Sequence, residues 1–140
     1  MRKPDQALEA FERAVEADPD DGLTRRNLGG LLIGFKRIDE AVAHLRKALQ
    51  LLPDNPQAIF GLATALEQVG TRDADEEADR LYRRFIEEHP KSLMAEQAEK
   101  ARTAFAHKRL KATDLSSDPF ASTLKAGTWQ PRRADQPLPH

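Results

Sequence analysis

Four histidines, His44, His89, His107 and His140, are the side chains of this 140-residue sequence best suited to hold a metal or move a proton near neutral pH. A metal site on one helix needs two of them a turn apart, so that both rings leave the same face. No pair has that spacing, and His44 stands beside Arg46 and Lys47. All four are read as surface residues. Carboxylates are abundant, and Asp73, Asp75, Glu76, Glu77 and Asp79 form a run. A run of one charge usually covers a solvated helix face, and that is the reading given to this one. Gly29-Gly30-x₃-Gly34 lies inside a helical stretch, where glycine permits close packing, and makes no phosphate-binding loop. No G-x-S-x-G nucleophile motif occurs. Without cysteine there is no thiol nucleophile, disulfide framework or cysteine-ligated metal. The expectation is a protein that is not an enzyme and holds neither cofactor nor metal.

Composition narrows the classes further. No run of about eighteen apolar residues exists, so membrane insertion is not expected. Met1-Arg2-Lys3-Pro4-Asp5-Gln6 leads into no apolar h-region, so the expected location is cytoplasmic, provided that the true N-terminus does not lie upstream. Basic and acidic side chains number 22 and 23 over the chain. Residues 1–90 carry 13 basic and 18 acidic side chains, and residues 91–140 carry 9 and 5. The acidic balance of the first segment disfavours nucleic acid as a partner.

With little chemistry to position, the elements themselves become informative. Three stretches align by their prolines. Ala7 is followed by Phe11 and Pro19, Ala41 by Leu45 and Pro53, and Ala78 by Tyr82 and Pro90. In each, a small residue precedes a large one by four positions and a proline by twelve. A second element recurs between them: Leu28-Gly29 with Leu32, then Leu62-Ala63 with Leu66, 34 residues later. The large residues have the three-to-four spacing of a helical apolar stripe. Gly29, Ala63, Ala41 and Ala78 are small where paired helices must approach closely. Each proline ends a helix that it cannot continue, and Asn55-Pro56 starts one, with Asn as cap and Pro in the first turn. The spacing predicts helices over 4–17, 22–34, 38–51, 56–69, 73–88 and 92–111.

Read together as Arg25-x₂-Leu28-Gly29-x₂-Leu32, Ala41-x₃-Leu45, Pro53, and again as Ile59-x₂-Leu62-Ala63-x₂-Leu66, Ala78-x₃-Tyr82, Pro90, the pattern resembles the tetratricopeptide repeat over roughly residues 1–111. The resemblance implies an all-α fold, a right-handed superhelix of antiparallel helix pairs. The array would comprise a half repeat (1–21), two repeats (22–55 and 56–92) and a closing helix (92–111). Residues 112–140 would form a Pro-containing disordered tail that holds Phe120 and Trp129. The pattern is departed from in two places. The chain begins in the middle of a unit, which leaves some of Leu8, Phe11 and Val15 under-covered, to be met by another subunit or by a longer chain. The last unit has three extra residues near Thr71–Glu77, about one helical turn, which are expected to lengthen its second helix at the N-terminus. The segment from Leu81 through Ser92 to Ala98 is also similar to the longer repeats of bacterial envelope-assembly proteins.

In such an array the first helix of each unit lines the concave face. The resemblance thus implies a partner-binding groove of Arg26, Asn27, Gly30 and Ile33, continued by Gln57, Phe60, Thr64 and Glu67 and extended by Gln97. Leu23 and Met94 fall in the same row and are expected to serve packing. Arg26 suits a carboxylate, Asn27 a peptide backbone, and Ile33 and Phe60 an apolar side chain. A chaperone-type carboxylate clamp does not fit, because Gly30, Gln57 and Gly61 stand where it needs other polar or basic groups. The expected function is a non-catalytic scaffold that binds a peptide or helix of a partner protein. The alternative is a structural module that forms a homodimer, or stacks on another helical chain, through Leu8, Phe11 and Val15.

Overall fold

The computed structural model describes residues 3–117, with side chains described over 3–111. Six helices follow one another: α1 (Lys3–Ala17), α2 (Gly22–Gly34), α3 (Ile38–Leu51), α4 (Pro56–Val69), α5 (Arg72–Glu88) and α6 (Leu93–Ser117). There is no strand among the described residues, and the fold is an all-α helical repeat. No helix among them is long and apolar enough to cross a membrane. The chain divides into two compact units, residues 1–103 and 104–140, with the division inside α6. The tail aromatics Phe120 and Trp129, and His140, lie outside the described residues.

Local chemistry sets the helix ends. Asp21 caps α2, its side chain accepting from the Leu23 and Thr24 amides at 3.1 and 3.3 Å. Asn55 accepts from the Ala58 amide at 3.0 Å, and Pro56 opens α4 at no cost in hydrogen bonds. Thr71 caps α5 through the Ala74 amide, and Ser92 takes the Met94 amide at 3.1 Å. Gly70 closes α4 in the left-handed region, at φ 82°. Lys36 does the same after α2 at φ 64°, which lets the Arg37 amide reach back to the Leu32 carbonyl at 3.0 Å. α5 has 17 residues against the 14 of α3, so the three extra residues lengthen that helix as expected.

Packing follows the alternation of small and large residues. Ala41, Ala63 and Ala78 are fully buried and Gly29 is buried. A Cβ on Gly29 would lie 2.4 Å from Leu45 Cγ, so only glycine lets α2 and α3 close to this distance. Leu28, Leu32, Leu45, Ile59, Leu62, Tyr82 and Phe85 fill the interior, each burial contributing roughly 1.5–3 kcal/mol. Ile59, Phe85 and Ala95 join α4, α5 and the start of α6, with Met94 against them.

The structure departs from the sequence reading at the acidic run, at Leu23 and at the end of α6. The acidic run is not a solvated face. Asp75 and Asp79 are buried, and Asp79 accepts from Arg102 Nε at 3.0 Å and meets Arg83 at 3.5 Å. Leu23, expected to pack, is half exposed at the start of α2. α6 runs on to Ser117, six residues beyond the end expected at 111.

Candidate interaction groove

α1, α2 and α4 stand around the side chain of Leu45 on α3, and between them lies an open groove of about 570 Å³. Its floor is Leu31, Leu45 and the two glycines Gly30 and Gly61. The glycines keep the floor low. A Cβ on Gly30 would meet nothing within 4 Å, and one on Gly61 would come within 3.1 Å of Leu45 Cδ2. Phe11 of α1 forms one wall. Arg26, Asn27 and Gln57 supply the polar rim.

Arg26 is held in place by neutral groups. One guanidinium nitrogen donates to Asn27 Oδ1 at 3.1 Å, and the other lies 3.4 Å from Asn55 Oδ1, the oxygen that also caps α4. It forms no ion pair among the described residues. A half-buried cation oriented by amide oxygens keeps its full charge available to an anionic group placed above an apolar floor.

Of the residues expected in the groove, the structure thus brings Arg26, Asn27, Gly30 and Gln57 into one cavity and adds Phe11, Leu31, Leu45 and Gly61. The sequence pattern groups Phe11 with Leu8 and Val15 as an association surface, whereas the structure sets it on the groove wall. Position alone could not show that α1 would stand close enough to α2 to wall the groove. Ile33 is half-buried further along α2 and does not line it. Phe60, Thr64 and Glu67 form a different cluster, against α5. The Phe60 ring meets Tyr82 and Phe85 edge-on, at 5.5 and 5.4 Å between centroids. The Tyr82 hydroxyl donates to Glu67 at 2.8 Å and lies 3.2 Å from Thr64 Oγ1, and burial pushes its pKa up. Gln97 is exposed on α6. Leu8 and Phe11 are half-buried, whereas Val15 is covered by the chain itself and offers little to an outside partner.

The histidines do not converge. His44 is half-buried with Nδ1 3.2 Å from an Arg25 nitrogen, His89 packs on the Phe85 ring, and His107 is exposed. No group of three or more ligating side chains occurs among the described residues. The burial of Asp75 and Asp79 had a signal in the sequence. With Ala78, Tyr82 and Phe85 they share the three-to-four stripe of α5, on the side that packs.

A family model described as tetratricopeptide repeat matches residues 1–56 and again 36–92. The peroxisomal targeting signal receptor of Saccharomyces cerevisiae is 33% identical over 66 residues, 47% of this chain. That of Candida glabrata is 32% identical over 66 residues, again 47% of this chain. The chain spans 11% of the length of either relative.

Proposed function

The chain belongs to the tetratricopeptide-repeat family, whose repeats generally mediate protein–protein interaction, and from that premise we propose that it is a non-catalytic scaffold that binds a peptide segment or helix of a partner protein in the groove between α1, α2 and α4. The observation that carries the reading is Arg26, a cation oriented by amide oxygens at the edge of an apolar floor. A partner segment would set an apolar side chain over Leu45 and a carboxylate on Arg26. Asn27 and Gln57, each with a donor and an acceptor, would meet its backbone. The relatives are named as receptors for a targeting signal, and a receptor is a binding protein, which supports recognition over catalysis. In this reading the chain meets its partner in the cytoplasm.

The test is a selection of displayed random peptides on the full chain, repeated with Arg26→Glu. Acid-bearing peptides should be enriched and should lose at least tenfold in affinity on the variant, whose helicity is checked by circular dichroism. Peptides that bind both proteins equally would remove the groove from the account. Leu8, half-buried on α1, favours a second reading, self-association through that helix; sedimentation distinguishes it.

A further inference from the structure

A second recess, of about 330 Å³, opens between α3, the end of α4 and the start of α5, and shares no lining residue with the groove. Its base is apolar, made by Val42, Leu66 and Val69. Val69 is one of the few large hydrophobic side chains left exposed. Its edge is acidic. Asp39 projects from the first turn of α3 and Asp73 from the first turn of α5. Both are exposed, and neither side chain has a partner among the described residues. Arg46 and Glu77 bridge α3 and α5 as a bidentate pair along the side of the recess, with one contact of 2.9 Å. Their charges cancel, which leaves Asp39 and Asp73 as the uncompensated charges among the residues that line the recess. Each helix N-terminus contributes only roughly half a positive charge, which one carboxylate outweighs.

The recess owes its wall to the lengthened helix. A second helix the length of α3 would begin three residues after Arg72, beyond Asp73 and Ala74, both of which line the cavity. The extra turn thus brings a carboxylate opposite Asp39, across an apolar base that a regular 34-residue unit would leave open on that side.

We propose that this recess is a second interaction site, for a segment of another protein that presents an aliphatic side chain flanked by arginine or lysine. The aliphatic group covers Val42, Leu66 and Val69, and the flanking cations meet Asp39 and Asp73. The two sites prefer opposite charge, since the groove offers Arg26. One chain can therefore hold two unlike segments at once.

The experiment titrates a short synthetic peptide, one leucine between two arginines, into the isotope-labelled full chain and follows backbone amide resonances. Perturbations are expected at Val42, Val69, Asp73 and Ala74, with affinity falling as salt rises. The Asp39→Asn/Asp73→Asn double variant should bind at least tenfold more weakly, and Val69→Thr should bind more weakly with the salt dependence retained. A control peptide with glutamates in place of the arginines should not perturb these residues. Perturbation confined to Asn27 and Gln57, equal binding of the glutamate peptide, unchanged affinity in the double variant, or no perturbation up to millimolar peptide would each overturn the proposal. Only perturbation at Asn27 and Gln57 would also speak against the groove's preference for acidic segments; the other outcomes leave the groove reading untouched.

Discussion

Gly29 and Gly30 are neighbours in α2 with opposite surroundings. A methyl group on Gly29 would meet Leu45 Cγ at 2.4 Å, whereas one on Gly30 would meet nothing within 4 Å. Gly29→Ala should therefore destabilise by roughly 1–3 kcal/mol through overpacking. Gly30→Ala should stabilise by about 0.5–1 kcal/mol, because alanine loses less backbone freedom in a helix. Urea unfolding of the two variants reads both signs. Asn55 does two tasks with one oxygen, capping α4 and orienting Arg26. Asn55→Asp should keep the cap while neutralising the Arg26 charge, so helicity should hold and affinity for acid-bearing peptides should fall several-fold. His44 supplies a pH dependence. Burial lowers its pKa from the ordinary 6.5, and the Arg25 charge lowers it further, against the opposing pull of Glu40 and Glu12. The unfolded chain then binds the proton more readily than the folded one. The contribution is fully present above about pH 6.5 and is lost as pH falls through the lower folded value. His44→Gln should flatten stability against pH in that window, as measured by urea midpoints at successive pH values.

At the level of the helices, most of the architecture was legible, and the reason lies in particular positions. Asn55-Pro56 marks the start of α4 because cap and proline are local devices, and the small residues at 29, 41, 63 and 78 mark contacts because close approach admits nothing larger. What could not be read depends on partners distant in sequence. The stripe of α5 turns Asp79 inward, but its partner Arg102 comes from α6, 23 residues on, and that pairing has no local signal. Phe11 lines the groove because of where α1 stands against α2. Arg26 was legible as a rim residue from its register, but its freedom from carboxylates was not. The helix ends also carry a prediction. Both α2 and α4 end on a left-handed residue, Gly70 in one case and Lys36 in the other. A side chain in that region costs about 1–2 kcal/mol relative to glycine. Lys36→Gly should therefore raise stability by roughly 1 kcal/mol, visible as a higher urea midpoint at unchanged slope.

For the array as a whole, each helix is supported by its neighbours, and the burial is uneven. α1 buries Val15 alone, whereas α4 buries six residues from Ala58 to Leu66. Native-state hydrogen exchange should find α1 amides opening first and α4 amides protected up to global unfolding. Equal protection would mean that something else covers α1. Sedimentation of the chain with and without Phe11→Glu addresses this: a shift toward monomer assigns Phe11 to self-association, and an unchanged sedimentation with weaker peptide binding assigns it to the groove. Leu45 adds a consequence on a longer timescale. The same side chain presses on Gly29 within its own repeat, approaches Gly61 in the next, and floors the groove. On the proposed reading, a change at Leu45 as such a chain diverges would alter ligand preference and repeat stacking together. On that reading, new specificities would arise on the rim, at Asn27 and Gln57 more freely than at Arg26, which is tied to the α4 cap through Asn55. The rim of the proposed site could then drift in what it recognises while the depth of its floor stays inherited.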